Sequence, residues 1–528
     1  MHQSQEISPT QYDGLARWLF PSMKDILFLA YLFAPLMGSS SACLGDSDTG
    51  WHIRNGEQIL KTMSLPRTDY FSYTAYGRPW FAWEWLSDVV MAIIHKYAGL
   101  NGIVLWANIT FAVTFTLLFV WTLKKGGNAF IAVVLSGLAG FAASIHWLAR
   151  PHLFTMLLLL IWYMILERFE CDNDQRSLYF LPPILLLWTN LHAGFIVGLI
   201  VLLIYALGNF LRSLTCAEGN DQAKARSRAI TLAKVFAVCV LVSFLNPYGY
   251  RLHTHIIESY ISSNHLMDNI TEFRSPSFHV GVVKFFELLI LMATVVASIS
   301  IQRFSFVEIG LLVFWTHMAL LSARHIPLYA LIVVPILVRH LTDYLESIEK
   351  VEGLKTWVRK STRWFRGYWK NITGFENQFK GVVYPILAVV FLVLIALNHG
   401  KLFGTQVMNK NFDRERLPVA AAEFIDKPGM KGNLFTTDQW GGYLIYRFYP
   451  RYPVFFDGRS DMYGEEIMKD YLKLVNLEYD WKSVIEKFKI DWMLLPFDVS
   501  LPAALKDLPE WKVVYDDHQA IIFIRNRE

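Results

Sequence analysis

The chain has 528 residues, of which 54% are hydrophobic and 18% charged, where a soluble domain carries roughly 25% charged residues. A net charge of +4 is too small to recruit a polyanion, so no nucleic-acid partner is expected. Cys43, Cys171, Cys216 and Cys239 have no CxxC spacing and sit in or beside apolar segments, which argues against a disulfide framework or thiolate metal site.

Residues 1–24 are polar and lack the short apolar core of a signal peptide, so they are expected to remain as a cytoplasmic tail. A spanning helix needs about 20 mostly apolar residues. Such runs fall near 25–43, 102–123, 129–148, 151–168, 177–191, 193–211, 229–246, 281–300, 305–321, 326–340 and 381–398, predicting about eleven spans within 25–399. The interval 44–100 is expected as a first external loop with interfacial helices, because Leu86–Tyr97 is short and carries Asp88, His95 and Lys96. A single helix over 178–208 would be about 45 Å long against a hydrocarbon core of ~30 Å, so a hairpin is expected at residues 190–194. Residues 342–380 mix Lys and Arg with Trp357, Trp364, Phe365, Tyr368 and Trp369, a pattern suited to a cytoplasmic interfacial helix on anionic lipid. Within 400–528, short apolar runs from Asn433–Thr437 and Pro453–Phe456 to Ala520–Ile524 alternate with helical patterns, predicting a compact α/β domain. The expected fold class is a mainly α-helical polytopic membrane protein with a C-terminal extramembrane α/β domain.

Lys and Arg in the connecting segments set orientation. Lys124-Lys125, Arg168, Arg176, the stretch from Arg212 to Arg228, Arg303, Arg339 and the basic run from Lys350 to Lys370 fall on the side of the N-terminus. The C-terminal domain falls on the other side with six polar clusters: Asp46–Arg54, Arg150–His152, Asn190–His192, Asn246–Gly249, Glu272–Arg274 and Arg324-His325. Charged groups gathered at one membrane face are costly and suggest a site. In the first cluster a carboxylate could act as general base toward a hydroxyl, or ligate a hard cation such as Mg or Mn through Asp46 and Asp48. Arg150, Arg324 and His325, at outer span ends, could donate to phosphate oxygens. His52, Arg54, Glu84, His152, His192, Glu272 and Arg274 complete the candidate substrate-binding set. Asn190, His192 and Pro247 could equally only shape turns, and His146 reads as a satisfied core group.

The runs Asp48-Thr49-Gly50-Trp51-His52-Ile53-Arg54-Asn55-Gly56-Glu57 and Pro66-Arg67-Thr68-Asp69-Tyr70-Phe71-Ser72, with Arg150-Pro151, Arg324-His325-Ile326-Pro327 and Phe456-Asp457-Gly458-Arg459, resemble bacterial membrane proteins of the GT-C glycosyltransferase class. Asp438–Tyr443 and Ile270-Thr271-Glu272 distantly echo oligosaccharyltransferase motifs. The resemblance implies a polyprenyl-phosphate-linked sugar as donor, a glycan, lipid or protein acceptor, and a bacterial inner-membrane location with the C-terminal domain outside. It also implies an essential acidic residue in the first external loop, which falls on Asp48, with Asp46 as second candidate. Metal dependence stays open. A lipid or sugar transporter would place its charges near the midplane on broken helices, and a catalytically silent scaffold would lack the first-loop acids.

Overall fold

The computed structural model describes every residue except 1–15, 38–41, 262–269, 301–302, 349–352, 377, 380, 428 and 527–528. Most of the expected N-terminal tail and parts of the basic 342–380 segment therefore lie outside the described residues. Seven helices are long and apolar enough to cross a membrane: Arg17–Leu36, Trp85–Lys124, Ala129–His146, His152–Asp172, Phe195–Thr215, Val283–Ser300 and Ala323–Ile348. Phe306–Leu321 and Val383–Leu397 are shorter apolar helices. The two remaining predicted segments lie in the helices Leu181–Leu191 and Asn220–Ser243. Leu207, Leu214, Leu241, Val313, Leu387 and Leu394 stay exposed along these helices. Apolar surface of that extent is stable against lipid rather than water.

Local chemistry explains where helices start and break. The Asn128 side chain accepts from the Phe130 and Ile131 N–H groups, and Ser305 with Glu308 forms a reciprocal capping box. The chain breaks after Leu191 and restarts at Phe195, as the length argument required, with His192 in an extended conformation. Leu86–Tyr97 lies in the Trp85–Lys124 helix, which bends at Gly99 (φ 58°, ψ −155°), backbone angles that only glycine adopts readily. The helix is thus two rods sharing one joint.

The segment expected as a loop from Asp46 to Arg54 is instead mostly helical. Asp48–Thr62 forms a helix, and the Asp48 N–H donates to the Asp46 carboxylate at 2.8 Å. Gly50 and Gly56 inside it look like helix breakers by intrinsic preference. They are tolerated because backbones pass too close for a side chain: a Cβ on Gly50 would lie 2.5 Å from the Gly442 carbonyl oxygen, and one on Gly56 would lie 1.9 Å from that of Asp88.

The C-terminal region is α/β. Strand Asn433–Thr436 runs parallel to Ile490–Pro496, which pairs antiparallel with Ala520–Arg525, itself antiparallel to Trp511–Asp516. Helices Asp438–Phe448 and Ser460–Val475 follow the first strand. Pro453–Phe456 makes no strand of this sheet. Val454 forms a one-residue bridge to Ser72 instead, because this stretch packs on the segment after the Asp48–Thr62 helix. One buried apolar cluster runs from the helical bundle through Trp51, Phe71 and Trp80 into the α/β region, so the two parts share a core.

Candidate functional site

The site is assembled from short connections at one end of the bundle. The Thr49 hydroxyl donates to the Ala149 carbonyl at 3.0 Å, and the Ala149 N–H donates to Cys43 at 2.8 Å. These bonds place the 147–151 turn beside the start of the Asp48–Thr62 helix. The Ser322 hydroxyl donates to the Glu272 carbonyl at 3.0 Å, and the Ala323 N–H donates to the Arg274 carbonyl at 3.1 Å. Four connections are thereby brought together in two pairs, one about a hundred residues apart in the chain and the other about fifty.

Arg150 lies at the centre. Its Nη1 contacts Asp46 Oδ2 at 2.8 Å and Glu272 Oε1 at 2.7 Å, and its Nη2 contacts Asp48 Oδ2 at 2.9 Å. Burial pushes the Asp48 carboxyl up to about 7; Arg150 opposes the rise, while Asp46, Glu272 and Asp457 add to it. For Glu272 burial acts in the same upward sense, but Arg150 and Arg324 outweigh it and hold the carboxyl well below its ordinary range.

A second group lies one helical turn from Asp48. The buried His52 ring contacts Asp88 through Nδ1 at 2.6 Å and faces Glu84 at 3.6 Å through Nε2. Glu84 also faces His192 Nε2 at 3.3 Å. The other ring nitrogen of His192 accepts from the Gly194 N–H at 2.9 Å, which holds the turn, and lies 2.9 Å from the Thr155 hydroxyl. Burial lowers the His52 imidazole to about 4, raises Glu84 to about 7 and lowers His192, so neutral forms are favoured here. Asp88 was placed by its sequence in an interfacial helix. It proves to be wholly buried, accepting from Asn55 as well as meeting His52.

Arg324 is the cation of the site left facing an aromatic ring. Its guanidinium stacks on Phe273 at 4.7 Å, and among the described residues no carboxylate lies within ion-pair distance of it. His325 adjoins it, and its Nδ1 is buried without a hydrogen-bond partner among the described residues. His146 is not the satisfied core group expected: its buried Nε2 has no partner among the described residues either.

The remaining candidates make other contacts. Arg54 donates to the Tyr446 carbonyl at 2.8 Å and pairs with Glu57 at 2.6 Å, clamping the C-terminal domain. His152 reaches the His146 carbonyl at 2.8 Å, and Arg274 is exposed. Asn190 and Asn246 act on backbone: the Asn190 side chain donates to the Leu186 and Leu245 carbonyls, and the Asn246 carbonyl oxygen accepts from Tyr248 N–H at 2.8 Å.

The C-terminal domain supplies the roof. A Cβ on Gly458 would lie 2.0 Å from Asp48 Oδ1, and one on Gly442 would lie 2.5 Å from the Ser47 carbonyl oxygen. Asp457-Gly458-Arg459 therefore caps the carboxylate directly. Arg459 fixes the cap: it contacts Asp69 at 2.7 Å and Asp457 at 2.7 Å, with Phe71 and Trp80 rings 5.0 Å and 4.6 Å from its guanidinium. Neither the burial of Asp69 nor that of Arg459 is evident from the sequence.

The candidate metal ligands Asp46 and Asp48 both point at Arg150. Among the described residues no group of three or more His, Cys, Asp and Glu side chains is arranged to hold a metal ion. The donor set as it stands does not fit a divalent cation.

No protein-family model and no curated protein matches the chain. Solved structures do. The apo oligosaccharyltransferase of Archaeoglobus fulgidus aligns with a TM-score of 0.51 at 12% identity, over 96% of this chain and 74% of that one. The same enzyme, AglB, in complex with an inhibitory peptide and a dolichol-phosphate gives 0.51 at 12%, over 96% and 73%. ArnT from Cupriavidus metallidurans bound to undecaprenyl phosphate aligns at 0.44 and 14%, over 94% and 97%. At these identities the likeness concerns architecture alone: the chain has the GT-C fold.

Proposed function

We propose that the chain is a membrane glycosyltransferase taking a sugar from a polyprenyl-phosphate donor to an acceptor hydroxyl or amide at the membrane face that carries the C-terminal domain. The observation that carries this reading is the buried Asp48 carboxylate beneath a protein roof, with Arg324, which among the described residues has no carboxylate within ion-pair distance, on the connection bonded to that of Glu272. Asp48 sits at the N-terminal end of its helix with its carboxyl raised to about 7, suited to taking a proton near neutral pH. Arg324, with His325 beside it, is suited to a phosphate oxygen. The acceptor gives its proton to Asp48 as its heteroatom bonds the anomeric carbon. The bond from that carbon to the phosphate oxygen breaks with inversion, and its electron pair leaves on the polyprenyl phosphate. Arg324 stabilises the charge that develops there. Arg150 serves by holding Asp46, Asp48 and Glu272 in register.

Archaeoglobus fulgidus AglB, of the same fold, has been captured with a dolichol-phosphate, which supports a polyprenyl-phosphate donor. Purified protein given a labelled polyprenyl-phosphate sugar and a mixture of envelope acceptors should transfer label. Asp48→Asn should reduce transfer by at least about a hundredfold, the scale of general-base catalysis, without lowering the melting temperature. Full turnover in that variant would remove Asp48 from the mechanism.

The distribution of Lys and Arg supports a cytoplasmic N-terminal side with the site on the outer face, and a bacterial inner membrane is part of the same proposal. Reporter fusions after residues 125 and 360 should read cytoplasmic and one at the C-terminus external; an external reading at 125 or 360 would reverse the assignment.

A further inference from the structure

Three acidic side chains from two distant parts of the chain meet on one guanidinium. Asp46 and Asp48 come from the start of a helix, Glu272 from a short turn, and Arg150 from the connection between two spans. Three carboxylate oxygens lie 2.7 to 2.9 Å from its two terminal nitrogens. The side chains at this junction are between 12% and 28% exposed. Three acids left alone here would repel one another, and a counter-cation is required.

A hard divalent ion gathers carboxylate oxygens at about 2.0–2.6 Å around one centre. Here the guanidinium occupies the space between those oxygens, so no ion can sit among them while Arg150 stays. A guanidinium is always charged and presents its donors in a planar fork, so it can bridge several carboxylates.

We infer that Arg150 is the built-in cation of this site, that the native protein takes no divalent metal there, and that removing Arg150 converts Asp46, Asp48 and Glu272 into a divalent-cation site. The inference concerns cation binding and holds whether or not the chain transfers sugar, so its test reads binding rather than turnover.

The full chain in detergent is titrated with Mn2+ and bound ion is followed by electron paramagnetic resonance. Wild-type protein should show no saturable uptake up to about 1 mM, the weak end of protein cation sites. Arg150→Met should take up a single Mn2+, and adding Glu272→Gln should weaken that uptake by about tenfold or more. Saturable uptake by the wild type that Asp48→Asn removes would overturn the inference. So would an Arg150→Met protein with an unchanged melting temperature and no uptake.

Discussion

Asp48 carries opposite demands at the scale of one side chain. Burial raises its carboxyl from an ordinary 3.8 to about 7, so the fold favours the protonated form. Its contribution to stability is fully present below the unfolded value near 3.8 and is lost as pH rises through about 7. Proton abstraction needs the ionised form, so activity should change the other way. The expected kcat/KM rises about tenfold per pH unit below 7 and levels above it. A pH–rate profile of the purified protein checks this, and a flat profile from about 5.5 to 8 would separate Asp48 from the rate-limiting proton transfer. Glu84 is raised to a similar value by burial, beside two imidazoles whose neutral forms burial favours. A second, coupled ionisation in the same range is therefore part of the expectation.

At the scale of elements, spacing and length were the reliable signals. Apolar runs about 20 residues long located the bundle, and the limit set by bilayer thickness located the break at His192. The α/β character of the C-terminal region followed from short runs punctuated by turns. The helix beginning at Asp48 was hidden because Gly50, Asn55 and Gly56 argue against a helix on intrinsic preference. Their reason is tertiary: neighbouring backbones at Gly442 and Asp88 need the missing side chains. The same holds for the site. Residue type picked out Asp48, Arg150, Glu272 and Arg324, because acids and guanidiniums at span ends are costly. Sequence could not tell which acid meets which cation, so Arg150 looked free for phosphate when it is held by three carboxylates. Asp69, Asp88 and Asp457 were unremarkable among many loop acids until burial distinguished them.

For the molecule as a whole, Arg459 decides whether bundle and C-terminal domain are one body. It is 3% exposed and bridges Asp69 to Asp457 between two aromatic rings. Taking one member from a buried charge network strands the others and costs about 3–5 kcal/mol. Arg459→Met should therefore lower the melting temperature of the solubilised protein by several degrees and expose the Asp48 carboxylate. Thermal unfolding of the two proteins side by side measures this; an unchanged melting temperature would mean that the apolar contacts of Phe71, Trp80 and Val454 hold the domain without the ion pairs.

The Arg459–Asp69 bond also sets a clock. Its partners are 390 residues apart in the chain, and a ribosome adds about 5–20 residues per second. Asp69 therefore waits roughly 20–80 s for its counter-ion during synthesis. Through that interval the bundle is inserted and the acids of its first connection lie uncovered, with the cap still to be made. The site cannot be capped until the Asp457-Gly458-Arg459 turn has been translated, so a nascent chain that stalls before it leaves Asp48 uncovered.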